Sequence, residues 1–178
     1  MSYILLDRDG VINKDAYAYI KNPDEWIPIE GSLEAIALLN AHGYKVIVVT
    51  NQSGVARGLY DEAMLEQIHE KMHRLVAEKG GLITAIYYCP HGPDSVCDCR
   101  KPKSGLLKAF AEDFNVTLSG LIVIGDSIRD LQAAEAVGAE PVLVKTGNGL
   151  ETLANNPHLN FLVFENLYDA AQHIIARP

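Results

Sequence analysis

The chain has 178 residues, 48% of them hydrophobic and 21% charged, with a formal net charge of −8 at pH 7. That length suits one domain over residues 1–178, able to bury a core without disulfides, and the acidic balance argues against nucleic acid or an anionic membrane as partner. No apolar run approaches the ~20 residues of a membrane span, no basic leader precedes Asp7, and the cysteine count is odd, so a soluble cytoplasmic chain is expected.

Strand and helix patterns alternate along the sequence. Tyr3–Leu6 reads as a buried strand that delivers Asp7-Arg8-Asp9-Gly10 into a turn, followed by a polar stretch with Asp15, Tyr17, Tyr19 and Pro23-Asp24. Ser32 has the character of an N-cap for a helix through Leu39 that stops at Gly43. Lys45–Thr50 is a strand and Asn51-Gln52-Ser53-Gly54 its turn. Asp61 can cap an amphipathic helix running through Met64, Ile68, Met72 and Val76. Thr84–Cys89 is a third strand, leading into a loop with every cysteine of the chain. Ser104–Phe114 reads as a helix, Leu121–Ile124 as a strand ending at Gly125-Asp126, and Asp130–Val137 as a helix. Short strands at Pro141–Val144 and Phe161–Phe164 and a helix over Leu167–Ala176 complete the pattern.

This alternation predicts an α/β fold: a doubly wound parallel sheet, Rossmann-type, with helices on both faces. In such a sheet the residues just after each strand share one edge. Asp7, Asp9, Thr50, Asn51, Gln52 and Asp126 are therefore expected to converge.

The chemistry available at that edge is that of phosphate esters. A carboxylate can attack phosphorus, and a second can protonate the leaving oxygen and later activate water. Asp7 and Asp126 suit metal ligands, and oxygen-only donors point to Mg²⁺. Asp9 suits proton transfer, Thr50 offers a hydroxyl, and Arg100-Lys101 offers fixed positive charge just before a helix.

Cys89, His91, Cys97 and Cys99 fall within one short loop, residues 89–99. Three thiolates and an imidazole fit a closed, structural Zn²⁺ site, because four protein ligands leave no position open for catalysis. Such a clamp would order a loop that has no core of its own and set Arg100-Lys101 directly after the last ligand.

The order Asp7-x-Asp9-Gly10, Thr50, Lys101 and Gly125-Asp126-x-x-x-Asp130 resembles the haloacid dehalogenase (HAD) superfamily of phosphohydrolases over the whole chain. The resemblance implies Asp7 as nucleophile and Asp9 as general acid/base, with Thr50 and Lys101 holding the transferring phosphoryl group. It also implies Mg²⁺ on Asp7, Asp126 and the Asp9 backbone carbonyl, with Asp130 supporting the metal from behind. The cysteine loop followed by Arg100-Lys101-Pro102 is similar to the subgroup containing heptose-bisphosphate and histidinol-phosphate phosphatases. Thr50-Asn-Gln-Ser-Gly-Val-Ala-Arg57-Gly58 favours the heptose branch, while the short His91-to-Cys97 spacer leans to the other.

The segments after Asp9 and around the zinc loop leave little room for a cap. The substrate the resemblance implies is a small phosphorylated sugar, first D-glycero-D-manno-heptose 1,7-bisphosphate cleaved at C7, with histidinol phosphate as the alternative. Arg100 is then expected on the substrate's body or distal phosphate, with Asp15, Asn51, Gln52 and Ser53 as further contacts, and the enzyme as a monomer. A zinc-stabilised, non-enzymatic interaction module is the reading from a different class. It would leave Asp7, Thr50, Lys101 and Asp126 together by chance.

Overall fold

The computed structural model describes residues 2–178. The chain order is β1 (Ser2–Leu6), α1 (Ser32–Ala41), β2 (Tyr44–Asn51), α2 (Glu62–Glu78), β3 (Ile83–Cys89), α3 (Gly105–Phe114), β4 (Ile122–Gly125), α4 (Ile128–Glu135), β5 (Glu140–Val144), α5 (Gly149–Asn155), β6 (Leu162–Phe164) and α6 (Leu167–Ile175). The strands form one parallel sheet in the order β3-β2-β1-β4-β5-β6. Winding runs outward from β1 to β3, then restarts beside β1 at β4. The β1/β4 junction is thus the point where strand order reverses, and open α/β sheets place ligands outside the carboxyl ends at such a point.

Alternation along the strands builds two core layers. Ile4 and Leu6 of β1 join Val46 and Val48 of β2 and Ile122 and Ile124 of β4 beneath α1, α2 and α6. Leu5, Ile47, Val49 and Val123 point the other way, onto Leu106, Leu107 and Phe110 of α3 and Ala133 and Ala134 of α4. Apolar residues on both faces explain why these strands read as unbroken hydrophobic runs. Register fixes the edge: Leu6 pairs with Val48 and with Ile124, so the three chains leave the sheet close together. Among the described residues no helix is long and apolar enough to cross a membrane.

Local details depart from expectation in three places. Gly31, in the left-handed region, is the N-cap of α1, and Ser32 is its first residue. The Ser32 hydroxyl instead donates to the Val11 carbonyl at 2.7 Å, tying the segment after β1 to the helix. Helix α4 begins at Ile128, two residues before Asp130, because the Ser127 N–H finds its acceptor in the Asp130 carboxylate. Helix α5 has no counterpart in the sequence reading, since Gly147-Asn148-Gly149 reads as a turn and the helical stretch after it is short. Gly149 is required there: a Cβ would stand 1.8 Å from the Val144 carbonyl oxygen.

Candidate active site

A cleft of about 430 Å³ opens over the carboxyl edge of β1 and β4. Its lining includes Asp7, Asp9, Asp15, Asn51, Gln52, Ser53, Arg100, Lys101, Asp126 and Asp130. The edge residues named from sequence thus meet in one place, Thr50 lying immediately beneath through its bond to Gln52.

Asp7 and Asp9 leave the same turn but meet opposite environments. The Asp7 N–H donates to the Ile124 carbonyl at 2.9 Å, carrying the β1/β4 ladder one residue past the strand. Its Oδ1 accepts from the Arg8 N–H at 2.8 Å and lies 3.2 Å from the Lys101 ammonium. Burial, then the charge of Asp130, push the Asp7 carboxyl well above the usual carboxylate range despite Lys101. Burial acts on Asp9 too, but Arg8 and hydrogen bonds from Asn13, Arg8 and Gln52 outweigh it and hold that carboxyl below the usual range. Arg8 is fully buried, with Nη2 2.8 Å from Asp9 Oδ1.

Carboxylate oxygens of Asp7, Asp126 and Asp130 lie within 4.8 Å of one another. Such crowding of like charge in a buried place is costly, and burial followed by Asp130 raises the Asp126 carboxyl to about 7. A divalent cation would relieve that repulsion, and the donor set, all oxygen, is of the kind Mg²⁺ takes. The three acids are not equivalent. Asp130 accepts from Lys101 at 2.6 Å on Oδ1 and from the Ser127 N–H and hydroxyl on Oδ2, so both its oxygens are engaged by the protein. Asp126 has one oxygen held by the Asn148 N–H at 2.9 Å. It fits because Gly10 and Gly147, at φ +84° and +57°, have no Cβ; one on either would come within 2.0 or 2.3 Å of Asp126 Oδ2. Asp7 and Asp126 are therefore the side chains with oxygens to spare for a cation.

Lys101 is buried, and its ammonium also donates to the Val49 carbonyl at 2.9 Å. Burial alone would lower its pKa, but Asp130 and Asp7 more than reverse that. Its backbone is held by Asn51, whose amide donates to the Lys101 carbonyl at 3.1 Å and accepts the Lys101 N–H at 3.0 Å. Asn51 thus spends its polar atoms on placing Lys101. Gln52 is similarly committed, its amide reaching both Asp9 and Thr50. Ser53 is buried in the cleft wall, and Asp15 lies farther out, accepting from Asn148 Nδ2 at 3.2 Å.

Asn148 and Thr152 are site residues that sequence reasoning missed. Asn148 bridges Asp126 to Asp15, and the Thr152 hydroxyl donates to the Asp126 carbonyl at 2.8 Å. The available signal was positional: β5 ends at the same edge, so the Gly147-Asn148-Gly149 turn belongs beside Asp126.

The cysteine loop lies at the cleft's rim. Cys89 Sγ is 3.5 Å from His91 Nδ1 and 3.8 Å from Cys97 Sγ, and His91 Nδ1 is 3.3 Å from Cys99 Sγ. A tetrahedron with Zn–S near 2.3 Å has edges of about 3.8 Å, so these separations fit four ligands around one ion. The Cys89–Cys99 pair, at 2.8 Å, is closer than that edge and would open on binding. Arg100, next in the chain, donates to the His91 carbonyl at 3.3 Å and faces the cleft beside Arg129.

Paired aspartates at the switch point of a doubly wound sheet, facing a buried lysine and two further carboxylates, define the class as an aspartate-based phosphohydrolase. Comparison with known proteins agrees. The HAD-hydrolase-like family model matches residues 98–170. A D-glycero-beta-D-manno-heptose-1,7-bisphosphate 7-phosphatase of Pseudomonas aeruginosa is 54% identical over 174 residues, covering 98% of both chains. The enzyme of that name from Neisseria meningitidis is 47% identical over 178 residues, covering 98% of this chain and 95% of its own. The crystal structure of D,D-heptose 1,7-bisphosphate phosphatase from Bordetella bronchiseptica, complexed with magnesium and phosphate, matches with a TM-score of 0.95 at 50% identity, covering 98% of each chain. The chain belongs to the haloacid dehalogenase-like phosphatases, in the subgroup that contains the heptose-bisphosphate phosphatases. It is a phosphoric monoester hydrolase.

Proposed function

We propose that this enzyme removes the C7 phosphate of D-glycero-β-D-manno-heptose 1,7-bisphosphate, on the route to nucleotide-activated heptose. The observation that carries the chemistry is the meeting of Asp7, Asp126 and Lys101 at the β1/β4 edge, with the ammonium 3.2 Å from the Asp7 carboxylate. The substrate rests on the names of full-length relatives such as the P. aeruginosa phosphatase.

In this reading Lys101 and Thr50 hold the transferring phosphoryl group while an Asp7 carboxylate oxygen attacks phosphorus. A bound cation would return Asp7 to its carboxylate form, and the negative charge of the bound phosphate beside Asp9 would favour that group's protonated form over the pull of Arg8. The ester P–O bond breaks, and the departing sugar oxygen takes a proton from the Asp9 carboxyl. Asp9, now a carboxylate, takes a proton from water as that water's oxygen attacks the phosphorus of the aspartyl-phosphate. The Asp7–phosphorus linkage opens, releasing inorganic phosphate and restoring both aspartates. Asp7, the Asp9 backbone carbonyl and Asp126 would hold Mg²⁺, which offsets repulsion between the nucleophile and the phosphate when bound. Asp130 orients Lys101 and the start of α4 from behind.

Cys89, His91, Cys97 and Cys99 would hold a structural Zn²⁺, and the clamped loop would set Arg100 against the distal part of the substrate. Asp15 and Ser53 are polar groups at the cleft wall suited to sugar hydroxyls. The same reading takes residues 1–178 as one domain acting as a monomer in the cytoplasm, and the single six-stranded sheet supports the first of these.

The test is kcat/KM measured on both heptose bisphosphate anomers, histidinol phosphate and fructose 1,6-bisphosphate. The β-heptose should lead the others by at least tenfold. A lead for histidinol phosphate would move the enzyme to the neighbouring branch.

A further inference from the structure

We propose that Gln52, braced by Tyr60, is a positioning residue that aims both Asp9 and Thr50 at the transferring phosphoryl group. This rests on the reading of Asp9 as proton donor to the leaving oxygen. Gln52 is 3% exposed, and all of its polar atoms have protein partners, which leaves it no free group for sugar. Its Nε2 donates to Asp9 Oδ2 at 3.0 Å and to Thr50 Oγ1 at 2.9 Å. Its Oε1 accepts from the Tyr60 hydroxyl at 2.6 Å and from Arg8 Nη2 at 3.4 Å.

The direction of the amide follows from chemistry. A guanidinium can only donate, so the atom facing Arg8 must be the oxygen, and the nitrogen must face the carboxylate. Asp9 Oδ1 is already occupied by Arg8 Nε and Nη2 and by Asn13 Nδ2, at 3.1, 2.8 and 2.9 Å. Oδ2 receives Gln52 alone among the described residues. Rotation about the last bond of an aspartate is soft, so Gln52 on Oδ2 and the donors on Oδ1 fix it together, and Oδ2, with one protein partner, is the oxygen left open to a leaving group in the donor reading. Thr50 gains as well. Its oxygen accepts from Gln52, which turns its own hydrogen away toward a phosphoryl oxygen, the nearest alternative being a long 3.4 Å approach to the Asn51 carbonyl.

Tyr60 is built in to hold this amide. It lies against Gly54, where a Cβ would come within 2.2 Å of its ring, so the turn after β2 makes room for it. The hydroxyl therefore reaches Gln52 from a ring that is 8% exposed and fixed by packing.

The experiment compares kcat/KM on benzyl phosphate and 4-nitrophenyl phosphate for wild type, Tyr60→Phe, Gln52→Met and Asp9→Asn. The two esters are similar in size, but the benzyl alkoxide needs a proton as it leaves and the nitrophenolate does not. General acid help is worth about 10²–10⁴-fold. Misaiming the donor should forfeit roughly tenfold of that on benzyl phosphate in Tyr60→Phe and more in Gln52→Met, against a loss of about twofold on 4-nitrophenyl phosphate. Equal losses on the two esters in both variants, with Asp9→Asn still selective for the benzyl ester, would overturn the positioning role alone. If Asp9→Asn itself showed no selectivity, the donor reading would fall and the positioning role with it. Tyr60→Phe keeps the packed ring, so it decides the matter even if Gln52→Met does not fold.

Discussion

The two clusters able to hold metal are built in opposite ways, although both border one cleft. The acidic cluster is part of the core's edge. Asp126 and Asp130 are each 2% exposed, their oxygens are addressed by backbone amides, Ser127 and Lys101, and glycines close around them. The cysteine loop touches the core only through its cysteines: Cys89 is buried and Cys97 and Cys99 pack against the same layer, while Val96 stands fully in solvent and His91 is exposed. The first site is preformed by the sheet and needs a cation only to settle its charge. The second, in the proposed reading, would be locked by an ion on Cys89, His91, Cys97 and Cys99, so that binding energy there would be folding energy of the loop. The difference teaches that catalytic geometry comes from strand ends, with Lys101 held there by Asn51, Val49 and Asp130, whereas the setting of Arg100 would depend on a ligand in the cysteine loop.

The sharpest break in the preformed site is Asp7→Asn. The amide keeps the shape but cannot attack, so turnover should fall by more than about 10³-fold while the thermal midpoint holds or rises, since one of three crowded acids has become neutral. Turnover within tenfold of wild type would rule out covalent catalysis through Asp7.

Lys101→Ala should lower kcat by about 10²–10³-fold on every phosphate ester, the scale seen when one preorganised charge-stabilising donor is removed. It should also destabilise the fold, because Asp7 and Asp130 lose their shared cation. Arg100→Ala tests the other region. Its loss should be near tenfold on a sugar bisphosphate and negligible on an aryl phosphate, because interactions with the non-reacting part vanish only when that part is present. Equal losses on both would place Arg100 on the reacting phosphate.

Stripping zinc, or Cys97→Ser, should cost roughly tenfold in activity through a displaced Arg100, as sub-ångström to ångström errors in placement are felt strongly. Far-ultraviolet circular dichroism should stay native while the loop becomes open to protease. Elemental analysis should find one zinc per chain after gel filtration in wild type; none, in protein made with ample zinc, would refute the four-ligand assignment.

The smallest effect concerns His69, buried beneath the site with Nε2 3.1 Å from Arg8 Nη1. Burial, then Arg8, lower its pKa from 6.5 to about 3. The neutral ring is the folded form, so its contribution is complete above pH 6.5. It is lost as pH falls from there toward 3, because the unfolded chain takes the proton first. At pH 5 the loss relative to pH 7 should be about 2 kcal/mol by the usual free energy per pKa unit. Urea midpoints at the two pH values should therefore separate less in His69→Gln than in wild type, and an unchanged separation would exclude His69.

Much of this was legible before any coordinates. Asp7, Asp9, Thr50, Lys101 and Asp126 could be placed on one edge because apolar runs alternating with helical patterns dictate a parallel sheet, and a parallel sheet puts every strand's exit on one side. The cysteine loop was legible from spacing, since its four ligands are neighbours in sequence. What escaped was whatever depends on one segment touching another. Residue type alone suggests a cap at Ser32, but its hydroxyl donates to the Val11 carbonyl across the fold. Position in the turn suggests sugar contacts for Asn51 and Gln52. The structure commits them to Lys101 in one case and to Asp9 and Thr50 in the other.

The sequence by itself determined the sheet, the direction of its strands and the set of carboxylates at its edge, because hydrophobic period and turn chemistry are local properties. Only the tertiary structure decided how two aspartates one residue apart come to differ. Asp7 meets Lys101 and the acids of β4 and α4, while Asp9 meets Arg8, Asn13 and Gln52. A carboxyl group's readiness to hold or release a proton is set by the charges and donors within a few ångströms, and those arrive from strands and loops far away along the chain.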